Sequence, residues 1–431
     1  MGLVGFGAGG AVGLRRSGSG KSPVQVQAAG RTQGDDPGDN LLPGLQTDPT
    51  PADPSSSSSS SSPPSTKPPT STTTTTAPTT TTTTAPTTTT TAGVPCAPAA
   101  PIYSLALLRR PDGNGWSGGA NPALERTTDG GRTWTPACLP ADAVPGPGGI
   151  YGIAFSADGT HGWATGGSGQ RPVAFRTIDG GDHWLAAALP AGLTGSLGTV
   201  AFADDRHGWT VGSLAGNGPA NAAGGYVLAT ADGGVHWTAQ PVPATVARLN
   251  RIVFADPTHG WAVGAATDGK PALIATTDGG VTWATQTVPS GIQNLRDVGF
   301  VDPQQGWAVG ELPAALGQNS AGIVLHTTDG GATWTQEATT SGDLWSLAVI
   351  DGHTLYAGGA HGLFTTHDGG TTWTGQPFAL PALDSISFTD ADHGWVTHSM
   401  FSTVCRTDDG GRTWTGSDVR AAGPGTACTG P

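Results

Sequence analysis

The sequence predicts an all-β fold, a seven-bladed β-propeller of four-stranded blades preceded by a disordered Ser/Thr/Pro-rich stalk, and three observations carry that prediction. An eight-residue motif recurs seven times at intervals of 39 to 53 residues, the range in which one repeat makes one blade. A strand–turn–strand element precedes it, as in VAFADDRHGWTVG, IVFADPTHGWAVG and VGFVDPQQGWAVG. The 69 Gly and 35 Pro stand against 12% charged residues, a balance rich in turn formers and poor in helix formers.

Residues 1–30 read as a weak or truncated signal or anchor-like segment. Gly2 to Leu14 is apolar, but no positive charge precedes it and Arg15 and Arg16 follow, the reverse of a signal peptide's order. Either the true start lies upstream, or the segment is a Gly-rich anchor too short to span a bilayer. Three motif matches fail here. Gly5, Gly7 and Gly10 fit GxGxxG with no preceding strand; Gly20-Lys21-Ser22 lacks the first glycine of a phosphate loop, Arg15 standing there; and Phe6 stands where myristoylation wants Ser or Thr. Residues 31–95 form the linker, almost wholly Ser, Thr and Pro from Pro49 to about Ala92. Such a stretch cannot bury a core, and reads as an O-glycosylated stalk or as an unmodified spacer.

Residues 96–431 hold the propeller. The octads are TTDGGRTW, TIDGGDHW, TADGGVHW, TTDGGVTW, TTDGGATW, THDGGTTW and TDDGGRTW. Their aspartates and tryptophans are Asp129 and Trp134, Asp179 and Trp184, Asp232 and Trp237, Asp278 and Trp283, Asp329 and Trp334, Asp368 and Trp373, and Asp409 and Trp414. In the third blade strand A contains Val200 to Phe202, a polar turn runs from Asp204 to Gly208, and strand B starts at Trp209. Strand C leads into the octad, a hairpin turn whose Asp accepts turn N–H groups and whose glycines permit positive φ. Its tryptophan, on strand D, fills space between neighbouring blades.

Cys96, Cys138, Cys405 and Cys428 form an even set without CxxC spacing, which argues for two disulfides in an oxidising compartment and against zinc. Nearest-neighbour pairing would tie each chain end to its adjoining blade; the rival pattern joins Cys96 to Cys428. Net charge is −13, and of three lysines only Lys270 lies beyond the N-terminal third, so no basic stripe exists for nucleic acid.

The octads match the Asp-box, or BNR repeat, S/T-x-D-x-G-x-x-W, at every specified position in all seven copies. With the GWAVG strands before them, residues 100 to 415 resemble the photosystem II stability and assembly factor family. That resemblance implies the propeller fold and a family known for an arginine-lined surface.

Asp-boxes also occur in sialidases, whose chemistry needs an arginine cluster, a tyrosine nucleophile assisted by Glu, and an acid. This chain has three glutamates (Glu125, Glu311, Glu337) and four tyrosines, and no strand A opens with Arg-Ile-Pro; Arg110-Pro111 follows strand A of the first blade. Repetition assigns the octad aspartates to turns. His161, His207, His259 and His393, each before a GW pair, read as turn residues spread round the ring.

Loops B–C and D–A, variable and on one face, are the expected binding surface. Aligning the starts of strand A places Tyr103, Tyr151, Gly198, Asn250, Arg296, Trp345 and Asp384 at equivalent positions round the channel mouth. Trp345 stands outside both the octads and the GW pairs; it suits a sugar ring or a peptide side chain, or else packs to compensate for Tyr356, which replaces the GW tryptophan of its blade. Arg248, Arg251 and Arg296 form a positive patch or solvated loop charge. The expected function is a non-enzymatic, exported scaffold, monomeric, extracellular or bound to the cell envelope, engaging a protein or glycan without cofactor or metal. A secreted glycoside hydrolase and a structural cell-surface protein are the alternatives.

Overall fold

Each repeat supplies short runs of Val, Ile, Leu, Ala and Trp broken by Gly and Asp turns, and each run becomes a strand. The structure, a computed structural model, describes residues 104–431 except 121–122, 141–147, 169–170, 215–223, 315–319, 377, 379–381, 398–402, 420–423, 426–427 and 429–431. The expectations for the anchor-like segment, the stalk, Cys96 and Tyr103 lie outside the described residues.

Seven antiparallel sheets form seven blades, each ordered A-B-C-D as the chain runs. Blade 4, for example, comprises Val246–Phe254, Gly260–Ala266, Pro271–Thr276 and Ala284–Thr285. Strand A of every blade packs on strand A of the next, from first to seventh and back to the first, so the A strands surround the axis. Every described blade is one continuous stretch of chain; the first and last exchange no strand.

Side chains therefore close the joints, and the GW tryptophan of strand B does most of this. Trp116, Trp163, Trp209 and Trp261 each lie flat on a phenylalanine at the end of strand A in the following blade, Phe155, Phe202, Phe254 and Phe300, with centroids 3.5–3.7 Å apart. That phenyl meets its own blade's octad tryptophan edge-on, Trp184, Trp237, Trp283 and Trp334 at 5.9–6.0 Å. Tyr356 takes the same place in blade 6, stacked on Phe388 at 3.8 Å. The octad tryptophan fills space between blades as expected, Trp283 bonding Gln240 of the preceding blade and Trp134 meeting Trp395 of blade 7; the GW indole adds a second crossing that the sequence did not announce.

The octads are self-contained turns. In all seven, the leading Thr hydroxyl donates to Asp Oδ1 and accepts the N–H of the second glycine; in Asp278's turn these distances are both 2.8 Å. The residue four beyond the Asp donates its N–H to Oδ1, and its side chain bonds Oδ2, as Thr282 does at 2.9 and 2.6 Å. Both glycines sit at φ of 70–101°, conformations costly for any side chain. The first glycine's carbonyl accepts the indole Nε1–H from the preceding blade: Trp163 to Gly233, Trp209 to Gly279, Trp261 to Gly330 and Trp307 to Gly369, at 2.9–3.0 Å. The GW histidines are turn residues, His207, His259 and His393 bonding through Nδ1 to the aspartate that opens their own turn.

The seam between blades 7 and 1 uses substitutes. Arg109 occupies the phenylalanine position and its guanidinium lies over Trp395, 5.4 Å from the ring centroid. Ser417 Oγ donates to the Gly131 carbonyl at 2.5 Å, and Trp134 Nε1 donates to Ser417 Oγ at 3.2 Å. Blade 7 departs from the four-stranded expectation: Pro424–Gly425 adds a fifth strand along Thr415–Asp418. Behind it, Cys405 and Cys428 form a disulfide, the nearest-neighbour pairing, which removes the Cys96–Cys428 alternative. Cys138 is disulfide-bonded as well.

Two predictions follow from the joints. Trp261→Ala removes a stacked, 2%-exposed indole and its hydrogen bond; the expected cost is about 3–5 kcal/mol by chemical denaturation, and a loss below about 1 kcal/mol would remove this contact from its structural role. For the octads, hydroxyl and N–H donors hold the carboxyls of Asp278, Asp329 and Asp368 down to about 2, from an ordinary 3.8. A lowered folded-state value gives stability that is full above the ordinary carboxylate range and is lost as pH falls through about 2. Tryptophan emission followed through an acid titration should stay native to about pH 4 and change below it.

Candidate functional site at the channel mouth

Strand A carries a β-bulge near its start in the first six blades. Register breaks fall at Leu105, Tyr151, Gly198, Asn250, Arg296 and Trp345, with a second in blade 4 at Ala247. Five of these are residues that the strand alignment places together. The exception is blade 1, where Leu105 takes the equivalent place and Tyr103 lies two residues earlier; a bulge adds a residue that sequence alignment cannot see. In blade 7 the ladder begins at Ser385, and the preceding Asp384 donates its N–H to the Thr397 carbonyl at 3.0 Å.

In blades 3 to 6 the residue after the bulge has a different task. An innermost strand has one unpaired edge, and the side chain from one blade caps an edge N–H of the next. Thr199 Oγ1 accepts from Ile252 N–H at 2.9 Å, Asp297 Oδ2 from Leu347 N–H at 2.8 Å, and Ser346 Oγ from Ile386 N–H at 3.3 Å. Arg251 belongs to this row. It is 3% exposed, and its Nε lies 2.6 Å from Asp297 Oδ1. Burial pushes the Asp297 carboxyl up, against the pull of Arg251 and of the Leu347 and Val298 N–H groups. Arg251 is therefore neither part of a solvent-facing patch nor a solvated loop charge: its place one residue past the bulge turns it into the ring.

Arg248 and Arg296 remain at the mouth, both half-buried. Arg296 Nη2 donates to Glu311 Oε1 at 2.9 Å, and Asn294 Nδ2 bonds the same oxygen. Burial and the neighbouring Arg296 guanidinium push Arg248 below the ordinary arginine value, with Glu311 acting the other way. The Nε atoms of Arg248 and Arg296 are both buried without a hydrogen-bond partner. Two guanidiniums thus share one carboxylate, leaving positive charge on an acidic protein.

Trp345, next round the ring, is half-buried and makes no ring contact among the described residues. Tyr356 fills the GW position unaided: it is fully buried, stacked on Phe388, and its hydroxyl donates to the Ala391 carbonyl. Compensation for a missing tryptophan is therefore not what Trp345 supplies, since Tyr356 pairs with Ala348 at the other end of the strand. Asn250, Tyr151 and Asp384 are half-buried too, and burial raises the Tyr151 phenol. Among the described residues no three His, Cys, Asp or Glu side chains gather as a metal site. No helix of the described residues is long and apolar enough to cross a membrane.

Residues 237–376 match the family profile described as photosynthesis system II assembly factor YCF48. The match runs from the octad tryptophan of blade 3 to strand D of blade 6, and so includes Arg248, Asn250, Arg296 and Trp345 but not Tyr151 or Asp384. Among solved structures, YCF48 bound to D1 peptide is 22% identical, covering 69% of this chain and 91% of that one with a TM-score of 0.51. YCF48 from Cyanidioschyzon merolae is 20% identical over 68% of this chain and 90% of that one, TM-score 0.47. The GH74 enzyme of Niastella koreensis is 15% identical over 73% and 65%, TM-score 0.42. No curated protein matches the chain. At these identities the likeness is one of fold, a YCF48-like Asp-box propeller.

The buried Arg251–Asp297 pair gives a prediction. Arg251→Met leaves Asp297 buried without its counter-charge and should cost about 3–5 kcal/mol in denaturant unfolding. Adding Asp297→Asn, which keeps an acceptor for Leu347 N–H, should recover most of that loss; an additive further loss would show that the pair is not what holds this row together.

Proposed function

We propose that this YCF48-like propeller is a non-enzymatic binding scaffold that engages a protein segment at the channel mouth, through Arg248, Arg296, Asn250 and Trp345, with Tyr151 and Asp384 on the same rim. The observation that carries the reading is the row formed by the bulged residues and Asp384, where blades 2 to 7 present different side chains: phenol, none, amide, guanidinium, indole and carboxylate. Repeated positions serve the fold; this row is left to specify a ligand. A half-exposed indole beside two guanidiniums with one carboxylate between them suits an extended peptide carrying an acidic group and an apolar side chain.

A propeller of this type bound to D1 peptide shares the fold, and supports a protein ligand over a sugar. The glutamates available for hydrolysis are otherwise engaged: Glu311 by Arg296 and Asn294, Glu337 by His326 on the outer part of blade 5, and Glu125 buried in strand C of blade 1. Export to an oxidising compartment agrees with the Cys405–Cys428 disulfide, and the Ser/Thr/Pro-rich stretch would hold the propeller away from a surface.

The test is a synthetic peptide array and a glycan array, each probed with residues 96–431 and with a folded Trp345→Ala, Arg296→Ala double variant. Retention of acidic peptides by the first, weakened at least about tenfold in the second, is expected, since each lost anchor is worth roughly 1–2 kcal/mol. Retention of glycans alone, or peptide binding equal in both, would overturn the assignment.

A further inference from the structure

The joint between blades 5 and 6 departs from the others, and it does so with two titratable side chains. Three residues beyond the octad tryptophan stand Gln240, Gln286 and Gln376 in blades 3, 4 and 6. Gln240 shows what that residue does. Its Nε2 donates to the Gly279 carbonyl in the next blade's octad at 3.4 Å, and its Oε1 accepts from Trp283 Nε1 at 3.3 Å. In blade 5 the position holds Glu337, whose carboxylate sits against the next octad in the same way: a Cβ on Gly370 would come within 2.6 Å of Oε2, as a Cβ on Gly331 would come within 2.8 Å of Gln286 Oε1.

Behind Glu337 stands His326 of strand C. Its ring lies flat on Trp307 at 4.8 Å, in a joint where blade 6 offers Val349 at the phenylalanine position, and its Nδ1 lies 3.4 Å from Glu337 Oε1. The two side chains are only 18% and 20% exposed, and Glu337 Oε2 and His326 Nε2 are both buried without a hydrogen-bond partner. The charged groups facing Glu337 are His326 from its own blade and Asp368 from the blade 6 octad. An ionised Glu337 has no hydrogen to offer the Gly369 carbonyl, which already accepts Trp307 Nε1–H at 3.0 Å.

We propose that Glu337, backed by His326, forms a proton-dependent joint between blades 5 and 6: with its carboxyl protonated, Glu337 donates O–H to the blade 6 turn as Gln240 donates N–H to that of blade 4. Loss of the proton removes that donor and leaves a carboxylate facing the charge of Asp368. Burial pushes the Glu337 carboxyl up, and Asp368 adds to this, while His326 and Trp307 Nε1–H pull it down; the net direction is upward. With a raised folded-state value, the stabilisation is full at acidic pH and is lost as pH rises through that value.

Hydrogen exchange on the full chain from pH 5 to 8 tests this, comparing protection of the blade 6 hairpin, residues 362–376, with that of the blade 4 hairpin, residues 271–285. In the wild type the blade 6 hairpin should lose about tenfold in relative protection for each unit by which the carboxyl is raised. Glu337→Gln should hold the low-pH protection throughout. His326→Phe, which keeps a ring on Trp307 but removes the pull on Glu337, should move the loss to higher pH. The same pH response in the wild type and Glu337→Gln, a uniformly weaker joint in Glu337→Gln, or an unmoved midpoint in His326→Phe would each overturn the proposal.

Discussion

The ring rests on an indole laid flat on the phenyl ring of the next blade, its N–H bonded to a glycine carbonyl there. Among the described residues no strand crosses from the last blade to the first, so side-chain contacts close the circle there. A four-stranded sheet with two apolar faces is marginal alone, and burial against neighbours on both sides is what makes it stable. Flat stacking gives that burial a fixed register, and the single hydrogen bond of the indole satisfies a donor that burial would otherwise leave costly. Where the contact is altered, the substitutes are specific: Arg109 over Trp395 at the seam, His326 under Trp307 between blades 5 and 6.

This contact gives the octad its purpose. The Asp carboxylate gathers the hydroxyl of the leading Thr, the N–H four residues on and the side chain of that residue, and so fixes a turn that two glycines alone would leave loose. Because both glycines lie at positive φ, the first glycine's carbonyl is available to the preceding blade's indole. In blades 3 to 6 the local motif is thus an acceptor for a long-range bond. In all seven blades the aspartate's bonds are those of a turn.

The blades, their number and their turns were legible because both signals are periodic: DGG and GW recur with the strands they punctuate. Three features were not. The fifth strand of blade 7 has no counterpart in the repeat, so its two residues, Pro424 and Gly425, carry no signal. The bulges shift register without leaving a mark in composition, which is why Tyr103 was aligned where Leu105 belongs. Arg251 reads as a surface cation beside Arg248, yet it is one residue past the bulge and faces Asp297; only the pairing register separates the two. The Glu337 joint had a faint signal, a glutamate three residues past an octad tryptophan where three other blades have glutamine.

That one-residue offset also divides the joint-forming residues from the row proposed for recognition at the mouth. The residues after the bulges, Thr199, Arg251, Asp297 and Ser346, are occupied in capping edge N–H groups and in a buried ion pair, so their chemistry is spent on holding A strands together. The bulged residues are turned out of the ladder. A ring of seven similar blades would by itself present a sevenfold repetitive mouth, poor at distinguishing ligands. The bulges of the first six blades free a row that can vary without cost to the joints, and in blades 4 to 6 that row, with Arg248 and Glu311 beside it, is where charge and a half-buried indole come together.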